Sequence, residues 1–476
     1  MMGELYQSII KKDHILAAYH RIHEKFFDPY LQLYKPFVVG IDGIDLIKFG
    51  NDLDASAEEC LSFLASRKME FSPQILRKVP KDKPGDFREV YLNTLRDKVI
   101  QKAIASILTK EFEKFHYPNL YSYRGKSYGQ MTAARKVSKL LREQHHKLYI
   151  FKTDVPDFTD NINQAIMLEK FRELLPNEPE VIELLEKYVR QQRCTNGVIS
   201  TPKMGIPTGS SLTTVCANLY LRELDRAMFR RDAIYFRFGD DILLITRSQK
   251  EVDEGEKIID TILQKNKLRL SDEKTERYQP GEDLEYLGYR FQDKTIDIAS
   301  KSLRKYRLWI KEILPKNKFF EHPIHSPAAL KEMVQRAVID MNTETERGLA
   351  QLPWIRSFPI INTDESVKAL DSYIKDRIRL CILGKLTVNA RKIIPEAWFR
   401  ELGYKSLTGA YYRISRRRPF GPYHGWRLYF GTNYYDLLRE EEGYFAKKIR
   451  GFREKWNYLK ESFGGRYLPQ IPSNPS

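Results

Sequence analysis

An α+β fold follows from three features of the sequence. Through the first 300 residues, strand-length apolar runs that end in turns are interleaved with helical segments. The clearest run, Tyr235-Phe-Arg-Phe-Gly-Asp-Asp-Ile-Leu-Leu-Ile245, reads as a β-hairpin with two carboxylates at its tip. Past residue 301 the pattern turns helical.

The hairpin tip is also the first chemical signal. Side-by-side carboxylates repel, so Asp240 and Asp241 are costly at a turn unless a cation neutralises them. A solvated Asp-Asp turn is the plain alternative.

In chain order, residues 1–65 read as mostly helical, with a Gly40-Ile-Asp-Gly-Ile-Asp45 turn before a helical segment from Asp54 to Arg67. Ile75 to Pro80 and Phe87 to Leu92 read as paired strands around the Lys81-Asp-Lys-Pro-Gly-Asp86 tip. Thr94 is placed to cap the following helix. Lys78, Lys81 and Arg88 would cluster on this hairpin and suit a triphosphate, although a solvated basic hairpin reads the same way. Leu120-Tyr-Ser-Tyr-Arg-Gly-Lys126 mixes aromatics with cations, a mixture that suits stacking and phosphate contact.

Leu148 to Thr153 reads as a strand ending at Asp154, with Asp157 and Asp160 just beyond and a helix from about Gln164. Strand-end carboxylates beside a second acid pair are what a hard divalent cation needs, since it takes oxygen ligands and keeps phosphate oxygens in its other positions. Gly205-Ile-Pro-Thr-Gly-Ser-Ser-Leu212 opens a helix expected to run to Asp225; its glycines allow close backbone approach and its N-terminus favours an anion. Glu251 to Lys265 reads as an acidic amphipathic helix. Leu268 to Thr275 and Leu284 to Phe291 read as short strand-and-turn segments.

In the last third, Ser326-Pro327 is an N-cap followed by proline at the first helical position. From Ser366 to Leu383, Val367, Leu370, Ile374, Ile378 and Cys381 form one apolar stripe, with Lys368, Lys375 and Arg379 on another face. That is either a core stripe with a solvated face or a helix laid along a nucleic-acid backbone. Arg413, Arg416, Arg417 and Arg418 precede an aromatic stretch ending at Trp426, which reads as a nucleic-acid contact or a solvated loop.

The charge distribution agrees with a polyanionic partner. The 476 residues carry a net charge of +17, with 42% hydrophobic residues. Lys and Arg outnumber Asp and Glu by 47 to 45 in residues 1–300, but by 33 to 18 in residues 301–476. A nearly neutral chemical body followed by a nucleic-acid-gripping region is the expectation. Cys60, Cys194, Cys216 and Cys381 lack C-x-x-C spacing, which argues against a zinc site or disulfide framework and fits a reducing compartment. No signal-peptide core and no run approaching 18 apolar residues is present, so the expected location is cytoplasmic, with no membrane partner.

Taken together, these motifs resemble reverse transcriptases, most closely the bacterial ones akin to group II intron proteins. Asp154-Val-Pro-Asp-Phe-Thr-Asp-Asn-Ile162 resembles the family's first carboxylate motif, Gly205-Ile-Pro-Thr-Gly-Ser its substrate-contacting loop and Phe238-Gly-Asp-Asp241 its aromatic-x-Asp-Asp motif. Lys274 matches the later palm lysine, Tyr286-Leu-Gly-Tyr289 resembles the primer grip, and Gly40-Ile-Asp-Gly43 resembles the N-terminal block of the group II-like branch. The resemblance covers roughly residues 36–300; Asn389 to Trp398 and Gly403 to Leu407 are only vaguely similar to intron-type thumb sequence.

The resemblance implies a right-hand polymerase. Residues 1–145 would form an N-terminal extension and fingers, 146–300 an antiparallel-sheet palm, and 301–476 a basic, mainly helical thumb and C-terminal region. It implies an RNA-templated DNA polymerase extending a 3′-hydroxyl on a DNA or RNA primer, with two Mg²⁺ (Mn²⁺ as the alternative) held by Asp154, Asp240 and Asp241. Lys81, Arg88, Asp157, Phe158, Thr159, Thr208, Gly209 and Lys274 would face the nucleotide. Tyr286, Leu287 and Gly288 would form the primer grip, while Lys368, Lys375 and Arg379 would bind nucleic acid.

Three positions depart from the family's pattern. Thr159 stands where a bulky aromatic usually excludes a 2′-hydroxyl, with Phe158 beside it; Thr208 replaces the loop's usual Gln, and Phe238 the commoner Tyr. An RNA-dependent RNA polymerase is the alternative suggested by Gly-Asp-Asp and by Gly209, Thr213 and Asn218. A catalytically idle RNA-binding scaffold is another. No Cys/His endonuclease module, Asn-Ala-x-x-His or Val-Thr-Gly occurs, so elimination favours a stand-alone antiviral-defence or abortive-infection enzyme, working with a dedicated noncoding RNA or partner protein.

Overall fold

The computed structural model describes residues 3–416, apart from 29–32, 35–39, 67–69, 81–86, 126–127, 232, 317, 320–325 and 348–353. Within these, two compact units form: one from residues up to 129 together with 149–277, the other from 130–148 together with the described residues from 278 onward.

The first unit is built around the helix Leu95–Phe112. Thr94 caps it, accepting from the Asp97 N–H at 3.2 Å, which satisfies a donor the helix cannot pair internally. Its Val99, Ile100, Ile104, Leu108 and Phe112 are fully buried, and the helices Lys12–Phe26 and Ser211–Tyr220 pack on it. The Gly40 turn forms as the sequence suggests, with the Gly43 N–H donating to the Gly40 carbonyl at 3.2 Å.

Beside this helical layer lies a four-stranded sheet in the order Glu276–Tyr278, Tyr149–Thr153, Asp241–Thr246, Ile234–Phe238. Asp241–Thr246 is its central, buried strand and pairs antiparallel with both neighbours. The helix Gln249–Lys265 buries Val252, Ile259 and Leu263, the apolar face expected of it. A second sheet joins Phe87–Leu92, Gln74–Pro80, Arg193–Thr195 and Val198–Ser200; its Gln74–Arg193 pairing is parallel.

The other unit combines the helix Gln130–Gln144 with a three-stranded antiparallel sheet, Leu284–Tyr286, Tyr289–Gln292 and Thr295–Ile298. Helices Ser300–Ile313, Pro327–Arg347, Glu365–Leu383 and Leu407–Arg416 follow. Pro327 is the first residue of its helix, and Ser326 Oγ accepts from the Ala329 N–H at 3.1 Å. Tyr306 and Trp354 stack with centroids 4.2 Å apart, and Trp354 meets Phe358 edge-on at 4.7 Å.

Three local expectations are corrected. The helix expected to run from residue 211 to Asp225 breaks at Leu221, giving Ser211–Tyr220 and Arg222–Arg230. Leu268 to Thr275 contains no strand; residues 272–274 are a turn and the strand is Glu276–Tyr278, so Lys274 projects from a turn. Tyr121 and Arg124 face inward: Tyr121 is 3% exposed, and Arg124 binds Glu113 at 2.7 Å and the Tyr117 carbonyl at 2.6 Å. Lys126 and the Arg417–Trp426 stretch lie outside the described residues.

Candidate active site

The centre of the first unit's sheet carries the acids. The Phe238–Asp241 pair closes the hairpin through Gly239, whose φ of +68° is the left-handed conformation that glycine adopts without strain. Thr153 sits opposite Ile242, so Asp154 leaves its strand beside Asp241. Strand register therefore brings Asp154 to Asp240 and Asp241, an adjacent pair far from it in sequence.

Electrostatics record the crowding. Burial raises the Asp240 carboxyl above its usual range, and Asp154 raises it further, against the lowering effect of Lys274 and Arg237. Burial, then Asp240 and Asp154, push Asp241 up to about 6. The Lys274 ammonium pairs with Asp154 Oδ2. Asp154 is 8% exposed, and its other oxygen, Oδ1, is buried without a hydrogen-bond partner.

These residues fit a divalent cation. A buried, unpartnered carboxylate oxygen among mutually repelling acids is relieved by a positive ion. Among the described residues no three His, Cys, Asp or Glu side chains close into a cage. A hard divalent cation held by few carboxylates keeps its other positions for water or phosphate.

Sequence reasoning passed over the support beneath the acids. Arg237 is fully buried and grips Asp225 through Nε at 2.7 Å and Nη2 at 2.5 Å. Its Nη1 donates to the Gly239 carbonyl at 2.9 Å, and Nη2 to the Asn218 carbonyl at 3.0 Å. The hairpin tip is thus tied to the helix behind it. An Arg inside an otherwise apolar strand was the available signal.

Tyr123 belongs to the aromatic and basic Leu120–Lys126 stretch. It is 51% exposed at a φ of +57°, unusual for a residue with a side chain, and its ring lies 6.0 Å from that of Phe238. Burial, then Asp240 and Asp241, raise its phenol.

The first-carboxylate loop and the glycine loop dock together. Ile206 N–H donates to the Thr159 carbonyl at 3.0 Å, and Gly205 N–H to the Ile162 carbonyl at 2.8 Å. A Cβ on Gly205 would lie 2.8 Å from the Asp160 carbonyl oxygen, so glycine is needed for the approach as well as for its φ of +76°. Asp157 is exposed, with φ +43°. Phe158 is 5% exposed and packs in the core, 6.3 Å from Tyr220, while Thr159 is half-buried. Thr208 Oγ1 is buried without a partner, and the Thr208 carbonyl accepts from Gln74 at 3.4 Å; Gly209 is exposed at φ +74°.

Lys81 lies outside the described residues, and Arg88 is described only as strand backbone opposite Val79. Lys78 is exposed. In the other unit, Leu287 and Gly288 form a turn with φ of +49° and +83°, fixed by Gln130 donating to the Leu287 carbonyl at 2.7 Å and Ala299 N–H to the Gly288 carbonyl at 2.9 Å. Tyr286 is buried at 2% exposure, so the turn backbone, not this ring, faces outward.

The three cations expected on one face of Glu365–Leu383 are each paired with a carboxylate. Arg379 is buried and bound to Asp376, Glu396 and the Ile394 carbonyl; Lys375 pairs with Glu396 and Lys368 with Asp364. Helical spacing places these cations on one side, where neighbouring carboxylates pair with them.

Residues 79–291 match the family described as reverse transcriptase (RNA-dependent DNA polymerase). The chain is 22% identical over 351 residues to the group II intron-encoded protein LtrA of Lactococcus lactis subsp. cremoris, covering 69% of this chain and 56% of LtrA; the LtrA of strain MG1363 matches equally. The chain thus spans little more than half the length of these relatives. Among solved structures it is similar to telomerase from Candida albicans in complex with a fragment of telomeric RNA, at 12% identity and a TM-score of 0.40 over 75% of this chain and 66% of that one. It is also similar to apo telomerase from Candida tropicalis, at 12% identity and a TM-score of 0.40 over 76% and 68%.

Proposed function

We propose that this chain is a reverse transcriptase that synthesises DNA on an RNA template by extending a 3′-hydroxyl, a reading supported by the match of residues 79–291 to the reverse transcriptase (RNA-dependent DNA polymerase) family. The observation that carries the reading is the cluster of Asp154, Asp240 and Asp241, with a buried unpartnered oxygen and a lysine counter-charge, inside the matched segment.

Asp154 and Asp240 would hold two Mg²⁺, which when bound lower the pKa of the primer hydroxyl and stabilise the departing pyrophosphate; Mn²⁺ is the alternative ion. Asp241 adds negative charge beside them. Lys274 keeps Asp154 neutralised before substrate arrives, then is placed to meet the triphosphate. The docked Gly205 loop fixes Thr159 and presents Thr208 and Gly209 to the incoming nucleotide, with Asp157 and Phe158 in the same loop. We assign Lys81 and Arg88 to the triphosphate, the role that the sequence resemblance implies. The Leu287-Gly288 turn after Tyr286 holds the primer end. Among the described residues no helix is long and apolar enough to cross a membrane, and we place the enzyme in the cytoplasm.

The test is primer extension on an RNA template with dNTPs and Mg²⁺, against an EDTA control and the Asp240→Asn chain. Incorporation of NTPs alone would indicate an RNA-dependent RNA polymerase, and template binding without synthesis a scaffold. For biological context we propose a stand-alone bacterial defence enzyme with a dedicated noncoding RNA or partner protein. Sequencing the nucleic acid that copurifies, and phage plating on cells carrying wild type or Asp240→Asn, test that context.

A further inference from the structure

A cleft of about 530 Å³ in the second unit is lined by Lys368, Lys375, Arg379 and Arg391 against two carboxylates, Asp371 and Glu396. The two acids differ in their attachments. Asp371 is 6% exposed and accepts from the Leu407 and Thr408 N–H groups at 2.9 and 2.8 Å, from Thr408 Oγ1 at 2.6 Å and from the Tyr404 hydroxyl at 2.8 Å. It is a fully used structural acid. The Glu396 side chain is 59% exposed at the first residue of its helix, and its carboxylate spans Lys375 and Arg379.

The two cations are fixed. The Arg379 side chain is 4% exposed, held from behind by Asp376 at 2.8 Å and the Ile394 carbonyl at 3.0 Å, with its guanidinium carbon 5.0 Å from the Phe399 ring centre. The Lys375 side chain is 18% exposed, its ammonium 5.5 Å from the Tyr404 ring. A largely buried ammonium and guanidinium aimed into one cleft need an anion there. The exposed Glu396 carboxylate supplies one through its two ion pairs.

We propose that this cleft is a phosphate-binding site, in which a phosphate monoester displaces the Glu396 carboxylate and bridges Lys375 and Arg379. Lys368 and Arg391, at 61% and 65% side-chain exposure, stand at its mouth. A phosphate brings more charge and more acceptor oxygens than the carboxylate it replaces, and the guanidinium fork matches it. The cleft volume suits a mononucleotide-sized group. The phosphate could belong to a free nucleotide or to the 5′ end of a strand. The site does not depend on the polymerase reading.

Binding is measured by calorimetry on the full chain carrying Asp240→Asn, in EDTA, so that metal-dependent nucleotide binding at the acid cluster does not contribute. The probes are adenosine 5′-monophosphate and a short oligonucleotide with either a 5′-phosphate or a 5′-hydroxyl. Glu396→Gln removes the competing anion and should tighten phosphate binding about fivefold, the worth of one partly exposed ion pair. Lys375→Gln should weaken it by about tenfold or more, the loss of a charge-assisted hydrogen bond. Monophosphate binding equal to that of the phosphorylated oligonucleotide supports a free nucleotide; preference for the phosphorylated oligonucleotide over both other probes supports a strand end. Unchanged or weaker binding in Glu396→Gln, or equal binding of 5′-hydroxyl and 5′-phosphate oligonucleotides without monophosphate binding, overturns the proposal. Glu396 is exposed, so its variant keeps the test available even if Lys375→Gln fails to fold.

Discussion

Arg237 and Asp225 form a fully enclosed ion pair, and the same guanidinium holds the carbonyl of Gly239, the residue just before Asp240. The pair therefore fixes the acid-bearing turn without touching a substrate. Removing one partner strands a charge in the interior. Asp225→Ala should cost about 3–5 kcal/mol in urea unfolding. Replacing both, as Asp225→Leu with Arg237→Met, should recover most of that stability but not synthesis, because the Gly239 carbonyl has lost its donor. Full activity in the double variant would remove the positioning role.

Asp154→Asn and Asp240→Asn should each reduce synthesis by about a thousandfold or more, an order expected when charge stabilisation at the reacting phosphate is lost. Asp240 is raised partly by Asp154, so taking away one like charge relieves repulsion in the metal-free protein. Thermal melts in EDTA should be unchanged or slightly higher. Near-wild-type extension by either variant would dismiss the acid cluster as the reaction centre.

Sugar selection is expected to follow Thr159. Phe158 is committed to the core against Tyr220, whereas Thr159 sits half-buried where the two loops dock. Thr159→Phe should raise the dNTP-to-NTP ratio of kcat/KM, each 1.4 kcal/mol of added discrimination appearing as about tenfold. Phe158→Ala should instead cost about 3–5 kcal/mol of stability through the cavity it leaves. Loss of selectivity in Phe158→Ala, with Thr159→Phe unchanged, would move the gate to Phe158.

Tyr123 holds a left-handed backbone with its ring beside Phe238. Tyr123→Gly removes the steric cost of that backbone while losing an exposed ring, so stability should change by less than about 1 kcal/mol. Primer extension should fall, because the exposed ring lies beside Phe238 and close enough to Asp240 and Asp241 for them to raise its phenol. Unaltered extension would leave Tyr123 a surface residue.

Acid should weaken the fold through buried histidine. His23 is 5% exposed, and burial, then His20, depress it to about 4. The unfolded chain binds this proton near pH 6.5 while the native chain does not, so stability is lost as pH falls from about 6.5 toward 4. Urea unfolding across that window should show the slope, and His23→Phe should reduce it. An unchanged slope in the variant would assign acid sensitivity elsewhere.

The sequence by itself determined the local elements and their chemistry. Alternation of apolar residues around Gly239, the Thr94 cap and the Ser326-Pro327 start are encoded within a few residues, so propensity and turn chemistry suffice to read them. Register then followed almost automatically, because a hairpin and its neighbouring strand leave Asp154 beside Asp241. Tertiary packing decided the rest. Asp225 meets Arg237 only because a helix break at Leu221 redirects the chain. Lys274 reaches Asp154 from a turn, not a strand, across 120 residues. The helical angle of Arg379 was legible, yet its burial was set by Asp376, Glu396 and Phe399, contributed by its own helix and by the chain that folds back over it. Periodicity gives the direction in which a side chain leaves its helix; only the folded chain decides what stands in that direction.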